Sequence, residues 1–160
     1  MPAGPPIVAA VFAWLHLIAI GVGAGLLMAE YWLCRRVPDR LQARLLGQVD
    51  LGYQLALIGA IATGLARGLY YGQDLDYYLA NRLFWLKIAL FVGLAVAAIG
   101  PSLQYLRWSR EARSAPAFAP LTREVERVRA AIALGLGFWL ILPLIAILVA
   151  RGFGGVTEGV

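Results

Sequence analysis

The sequence predicts an all-α integral membrane protein, a four-helix bundle in up-down-up-down order with both termini on the outer side. Three observations predict it. Hydrophobic residues make up 61% of the 160 and charged residues only 14%, with a mean hydropathy of +0.75, a balance no water-soluble core can bury. The apolar residues fall into four runs, each about the ~20 residues needed to cross hydrocarbon. The arginines collect between those runs: Arg35, Arg36, Arg40 and Arg44 in the first connection, and Arg107, Arg110, Arg113, Arg123, Arg127 and Arg129 around the third. By the positive-inside rule these two connections face the cytoplasm, which puts the second connection and both termini outside a bacterial inner membrane.

The first helix is expected over residues 7–33, interrupted only by His16 and Glu30, with Pro38 beyond the Arg35-Arg36 pair as a stop. The segment ahead of it has no Lys or Arg, unlike a cleavable leader, so this helix reads as a retained span. The second is expected over 51–71, opening with Asp50 as a cap and ending at Gly72-Gln73-Asp74. The third, over 83–106, carries Lys87 near its start and Pro101 near its end. The fourth, over 128–150, has no charge after Arg129 and a kink expected at Pro143. Residues 1–160 thus read as a single transmembrane domain. Tyr70, Tyr71, Tyr77, Tyr78 and Trp85 would form an outer aromatic belt, and Tyr31, Trp32, Tyr53, Tyr105 and Trp108 an inner one.

Ionisable groups inside hydrocarbon are costly and therefore informative. His16 lies ~13 Å into the first helix at 1.5 Å per residue. Arg67 lies about one turn from the outer end of the second helix, and Lys87 about one turn from the outer end of the third. The outer loop would add Asp74, Asp76 and Arg82. Imidazole as a metal ligand and two cations for carboxylates suit an anionic ligand with an apolar body, such as haem b or another porphyrin. Against this stands a plainer reading, in which Arg67 and Lys87 snorkel to headgroups and His16 is a hydrogen-bonded packing residue. Met28 is ~18 Å further along the helix and cannot share an iron with His16. Five-coordination and pairing of His16 across a homodimer both remain open. Gly21 and Gly25 form a Gly-x-x-x-Gly pair suited to close helix packing. Glu30 is expected to pair with Arg35 or Arg36.

Several classes are excluded. The single Cys34 allows no disulfide or multi-cysteine cluster within the chain. The net charge of +5 follows from topology and does not imply nucleic acid. No phosphate loop, nucleophile elbow or zinc-protease motif is present. A small transporter or ion-handling protein stays open as the least supported reading, since the fourth helix is wholly apolar and no inverted repeat is visible.

The motifs Trp14-Leu15-His16, Ala62-Thr63-Gly64-Leu65-Ala66-Arg67 and Asn81-Arg82-Leu83-Phe84-Trp85-Leu86-Lys87 resemble those of the small bacterial membrane proteins filed as domain of unknown function 2214, over nearly the whole chain. More distantly, a histidine in helix one, Thr-Gly ahead of the outer loop and a lysine opening helix three resemble HemJ-type protoporphyrinogen oxidases and the CopD membrane domain. The HemJ resemblance implies a haem-b membrane oxidoreductase with His16 as axial ligand and Lys87 at substrate or propionate, while the Thr-Gly-x-x-Arg element places Arg67 as in CopD-like proteins. The absence of a second histidine argues against copper transport. Beside this stands an accessory subunit of a respiratory or photosynthetic membrane complex, or a homo-oligomer, in either case embedded in the lipid bilayer.

Overall fold

A computed structural model describes residues 6–70, 75–114 and 117–154. The chain folds as helices α1 (Pro6–Leu33), α2 (Arg40–Tyr70), α3 (Leu75–Ala80), α4 (Arg82–Ser114) and α5 (Thr122–Ala150). All but the short α3 are long and apolar enough to cross a membrane. α1 packs mainly on α2 and α4 mainly on α5, while α2 with α4 and α1 with α5 close the ring. The antiparallel order is visible at both ends. Where α1 begins and α5 ends, His16 of α1 meets Thr63 of α2; at the arginine-rich end, Arg40 of α2 donates to the Ala112 carbonyl of α4.

Helix lengths differ from those expected. α2 starts at Arg40 rather than near Leu51, α4 runs to Ser114 rather than 106, and α5 starts at Thr122 rather than Val128. Apolar runs mark only the part of a helix that lies in hydrocarbon, whereas backbone hydrogen bonding continues into water when side chains support it. Here they do. Asp39 caps α2 by accepting from the Gln42 amide at 2.8 Å, and the Gln42 side chain accepts from the Asp39 amide at 3.1 Å, a reciprocal capping box. The polar extensions then pack on one another: Ala43, Leu46, Trp108, Ala112 and Val125 are buried, Ser109 donates to the Ala43 carbonyl, and Arg107 pairs with Glu111 at 2.8 Å and Glu124 at 3.6 Å. Pro101 lies well inside α4 instead of near its end.

Most of the buried core sits toward the arginine-rich end. Tyr53, Tyr105 and Trp108 are at most 1% exposed; they are core residues and not part of an inner belt, because each has a hydrogen-bond partner inside the bundle. Trp32 and Trp85, by contrast, are exposed as a belt requires, with Arg35 stacked on the Trp32 ring. Tyr70, Tyr71 and Tyr77, like Asp74 and Asp76, lie outside the described side chains.

α1 meets α2 along a seam of small residues. A side chain at Gly52 would touch Leu26, one at Gly59 would touch Ala19, and one at Gly64 would press on His16 at 3.1 Å. Gly23 is held to within 2.9 Å of Trp139 of α5 by the same measure. Such seams let backbones approach closely where lipid supplies no hydrophobic drive for helix association. α5 ends in a Schellman turn, with the Phe153 amide bonded to the Leu148 carbonyl and that of Gly152 to Val149. Gly152 at φ 85° supplies the left-handed residue this turn requires. The tail then returns over the start of α4, where the Arg82 amide donates to the Gly154 carbonyl.

Candidate functional site

The three sequence motifs converge at the end of the bundle where α1 begins and α5 ends. His16 Nδ1 lies 2.9 Å from Thr63 Oγ1, which is itself 2.6 Å from the Gly59 carbonyl. A hydroxyl has one proton, and the carbonyl can only accept. Thr63 therefore donates to Gly59 and can accept from Nδ1–H, the tautomer in which Nε2 carries the lone pair. Gly64 lets the ring pack close against α2, because a Cβ there would stand 3.1 Å from Cε1. Thr63 and Gly64 thus set the position of one half-buried histidine.

Arg67, one turn beyond Thr63, and Lys87, on α4, are close enough for both charges to act on the imidazole and for Arg67 to act on Lys87. Arg67 is exposed and Lys87 half-buried, and neither forms an ion pair among the described residues. Asn81, in the third motif, serves the fold. Its side chain is buried, accepts from the Leu83 and Phe84 amides that open α4, and donates to the Phe153 carbonyl. That cap orients the helix carrying Lys87.

The donor set suits a haem-type ligand. A neutral imidazole whose second nitrogen is anchored is the usual form of a metal-binding histidine, and two neighbouring cations match two carboxylates. Among the described residues no group of three or more His, Cys, Asp or Glu could hold a metal ion.

A second polar cluster was not read as a site from the sequence. It lies in the core toward the arginine-rich end. Glu30 is 1% exposed and accepts from Tyr105 Oη at 3.2 Å, not from Arg35 or Arg36; packing turns it inward to α4 while the arginines lie in the turn beyond. Asp50 is no cap, because α2 begins at Arg40. It lies inside the helix and accepts from Ser102 at 2.7 Å and Gln54 at 3.2 Å. The Asp39-x-x-Gln42 spacing was the signal that would have moved the helix start and placed Asp50 in the interior.

A family model described as a predicted membrane protein, DUF2214, matches residues 8–154 of the chain. No curated protein matches, and no solved structure does.

Proposed function

We propose, for a chain that belongs to the DUF2214 family of predicted membrane proteins, that it binds haem b or a related porphyrin at the end of the bundle where α1 begins and α5 ends and serves a membrane redox reaction of the HemJ-like kind. The observation that carries this reading is the His16–Thr63–Gly59 relay, which holds Nε2 as a lone-pair donor. His16 would hold the iron, and Arg67 and Lys87 would meet the carboxylates. Bound haem would supply one-electron chemistry at iron. The protein's part is to hold the ring nitrogen in one tautomer, to balance anionic charge and to keep the ligand's apolar body in lipid. The arginine-rich loops are read as cytoplasmic, so the site would face the outer side of a bacterial inner membrane.

The test is an absorption spectrum of the purified protein before and after dithionite, for wild type and His16→Ala. A reduced haem-b spectrum that is lost in the variant supports the proposal. A colourless wild-type protein that also fails to take up added haemin overturns it.

A second reading, a subunit packed against other membrane helices, is favoured by one observation. No atom of another helix lies within 4 Å of where a side chain would begin at Gly21 or Gly25, so this Gly-x-x-x-Gly pair is left open on the bundle surface. Gly21→Ile with Gly25→Ile should release a partner chain or a second copy in native mass spectrometry from mild detergent; an unchanged mass would remove the support.

A further inference from the structure

Glu30 and Asp50 line one cavity between α1, α2, α4 and α5, together with Leu27, Tyr53, Pro101 and Ile132. The cavity offers about 10 Å³ for the centre of a water molecule, room for about one water. Asp50 Oδ1 accepts two hydrogen bonds, from Ser102 and Gln54. Glu30 is different. Its Oε2 accepts from Tyr105, while Oε1 has less than 1 Å² of accessible surface and no hydrogen-bond partner. A carboxylate oxygen left without a donor in a bundle core is among the costlier arrangements a protein can adopt. A carboxylic acid with its proton on that oxygen can instead donate.

The groups facing this pair come from every packed helix: Cys34 just past the end of α1, Tyr53 on α2, Tyr105 on α4 and Trp139 on α5, which donates to Tyr53. None of these is a cation. Arg129 is near enough to act on Cys34 but makes no ion pair with either carboxyl group. Cys34 can donate to Tyr105, which donates to Glu30. On the other side, Gln54 and Ser102 line a surface groove with Ala98, Ile99 and Leu103. Hydrogen-bonded polar groups therefore lead from that groove to Asp50, which shares the cavity with Glu30.

We propose that Glu30 and Asp50 form an exchangeable proton-binding site inside the membrane, with one proton held on Glu30 Oε1 and passed through a single water to Asp50. Uptake joins one proton to one carboxylate, and release returns it by the groove at Gln54 and Ser102. A proton suits the site better than an alkali ion. The cavity has room for one small occupant, and much of its lining is aliphatic, too few oxygens to replace a cation's coordination shell.

The experiment is infrared difference spectroscopy on the full chain in lipid nanodiscs, with and without ¹³C-labelled glutamate. A carbonyl band of a protonated carboxylic acid at neutral pH is expected. It should shift with the glutamate label, shift again in D₂O, persist in sodium or potassium chloride, and vanish in Glu30→Gln. No such band, a band that ignores the glutamate label, one resistant to D₂O exchange, or one abolished by sodium or potassium would each overturn the proposal. If the variant fails to fold, the labelled wild type still tests whether a glutamic acid holds an exchangeable proton at neutral pH, and the absence of that band overturns the proposal.

Discussion

At the scale of single residues, the lever on the terminal-end site is the anchor of the histidine more than the histidine alone. Thr63→Val keeps the shape but removes the acceptor for Nδ1–H, and losing such an outer partner typically weakens a metal site by roughly 10–100-fold. Haem titration of this variant should show that loss with the helix content unchanged. Gly64→Leu should do more, because its Cβ alone would stand 3.1 Å from the imidazole. Cys34 gives an independent check on the other end. It is fully buried, and burial pushes its thiol up to about 11, with the Tyr105 hydrogen bond opposing. Folding therefore favours the protonated thiol; that stability is fully present below the ordinary thiol range and is lost as pH rises through about 11. Maleimide should label Cys34 slowly in the folded protein at pH 8 and quickly in denaturing detergent, and equal rates would show that the core is open. His16, Arg67 and Lys87 were legible in the sequence because ionisable groups are rare in apolar runs. Glu30 and Asp50 were rare in the same way, but each stood near an expected helix end, where a cap or an ion pair explains a charge without a site.

At the scale of elements, the polar extensions of α2, α4 and α5 are where sequence reading fell short. A hydropathy window finds the stretch that lipid requires and stops where side chains turn polar, although the backbone has no reason to stop there. The capping box at Asp39 and Gln42 shows that α2 has a defined beginning well ahead of its apolar run. Asp39→Ala should cost about 1 kcal/mol, read as a lower midpoint in mixed-micelle unfolding, without changing the terminal-end site. The small-residue seam between α1 and α2 was only half legible. Ala19 and Gly23 follow His16 along α1, but their partners Gly59, Ala56 and Trp139 depend on how the helices are rotated. Gly21 and Gly25, the more obvious motif, turn out to face away from the other helices of the chain.

For the whole molecule, the remaining prediction concerns direction across the bilayer. With Cys34 buried, a single cysteine introduced at Leu79 on α3, or at Ser114 at the end of α4, can be read against a silent background; both positions are exposed. Leu79→Cys should react with an impermeant maleimide in intact cells and Ser114→Cys only after lysis, and the reverse pattern would place His16 toward the cytoplasm. The sequence by itself determined the four spans, their alternating order, the distribution of arginines and the few ionisable residues worth following, because each follows from the cost of moving a polar group into hydrocarbon, a property of composition and spacing. Only the tertiary structure decided which of those residues meet. Whether Thr63 can accept from His16, whether Glu30 turns toward Tyr105 or toward an arginine, and whether Asp50 caps a helix or lines a cavity depend on helix rotation and register. Those are set by close packing between residues far apart in the chain.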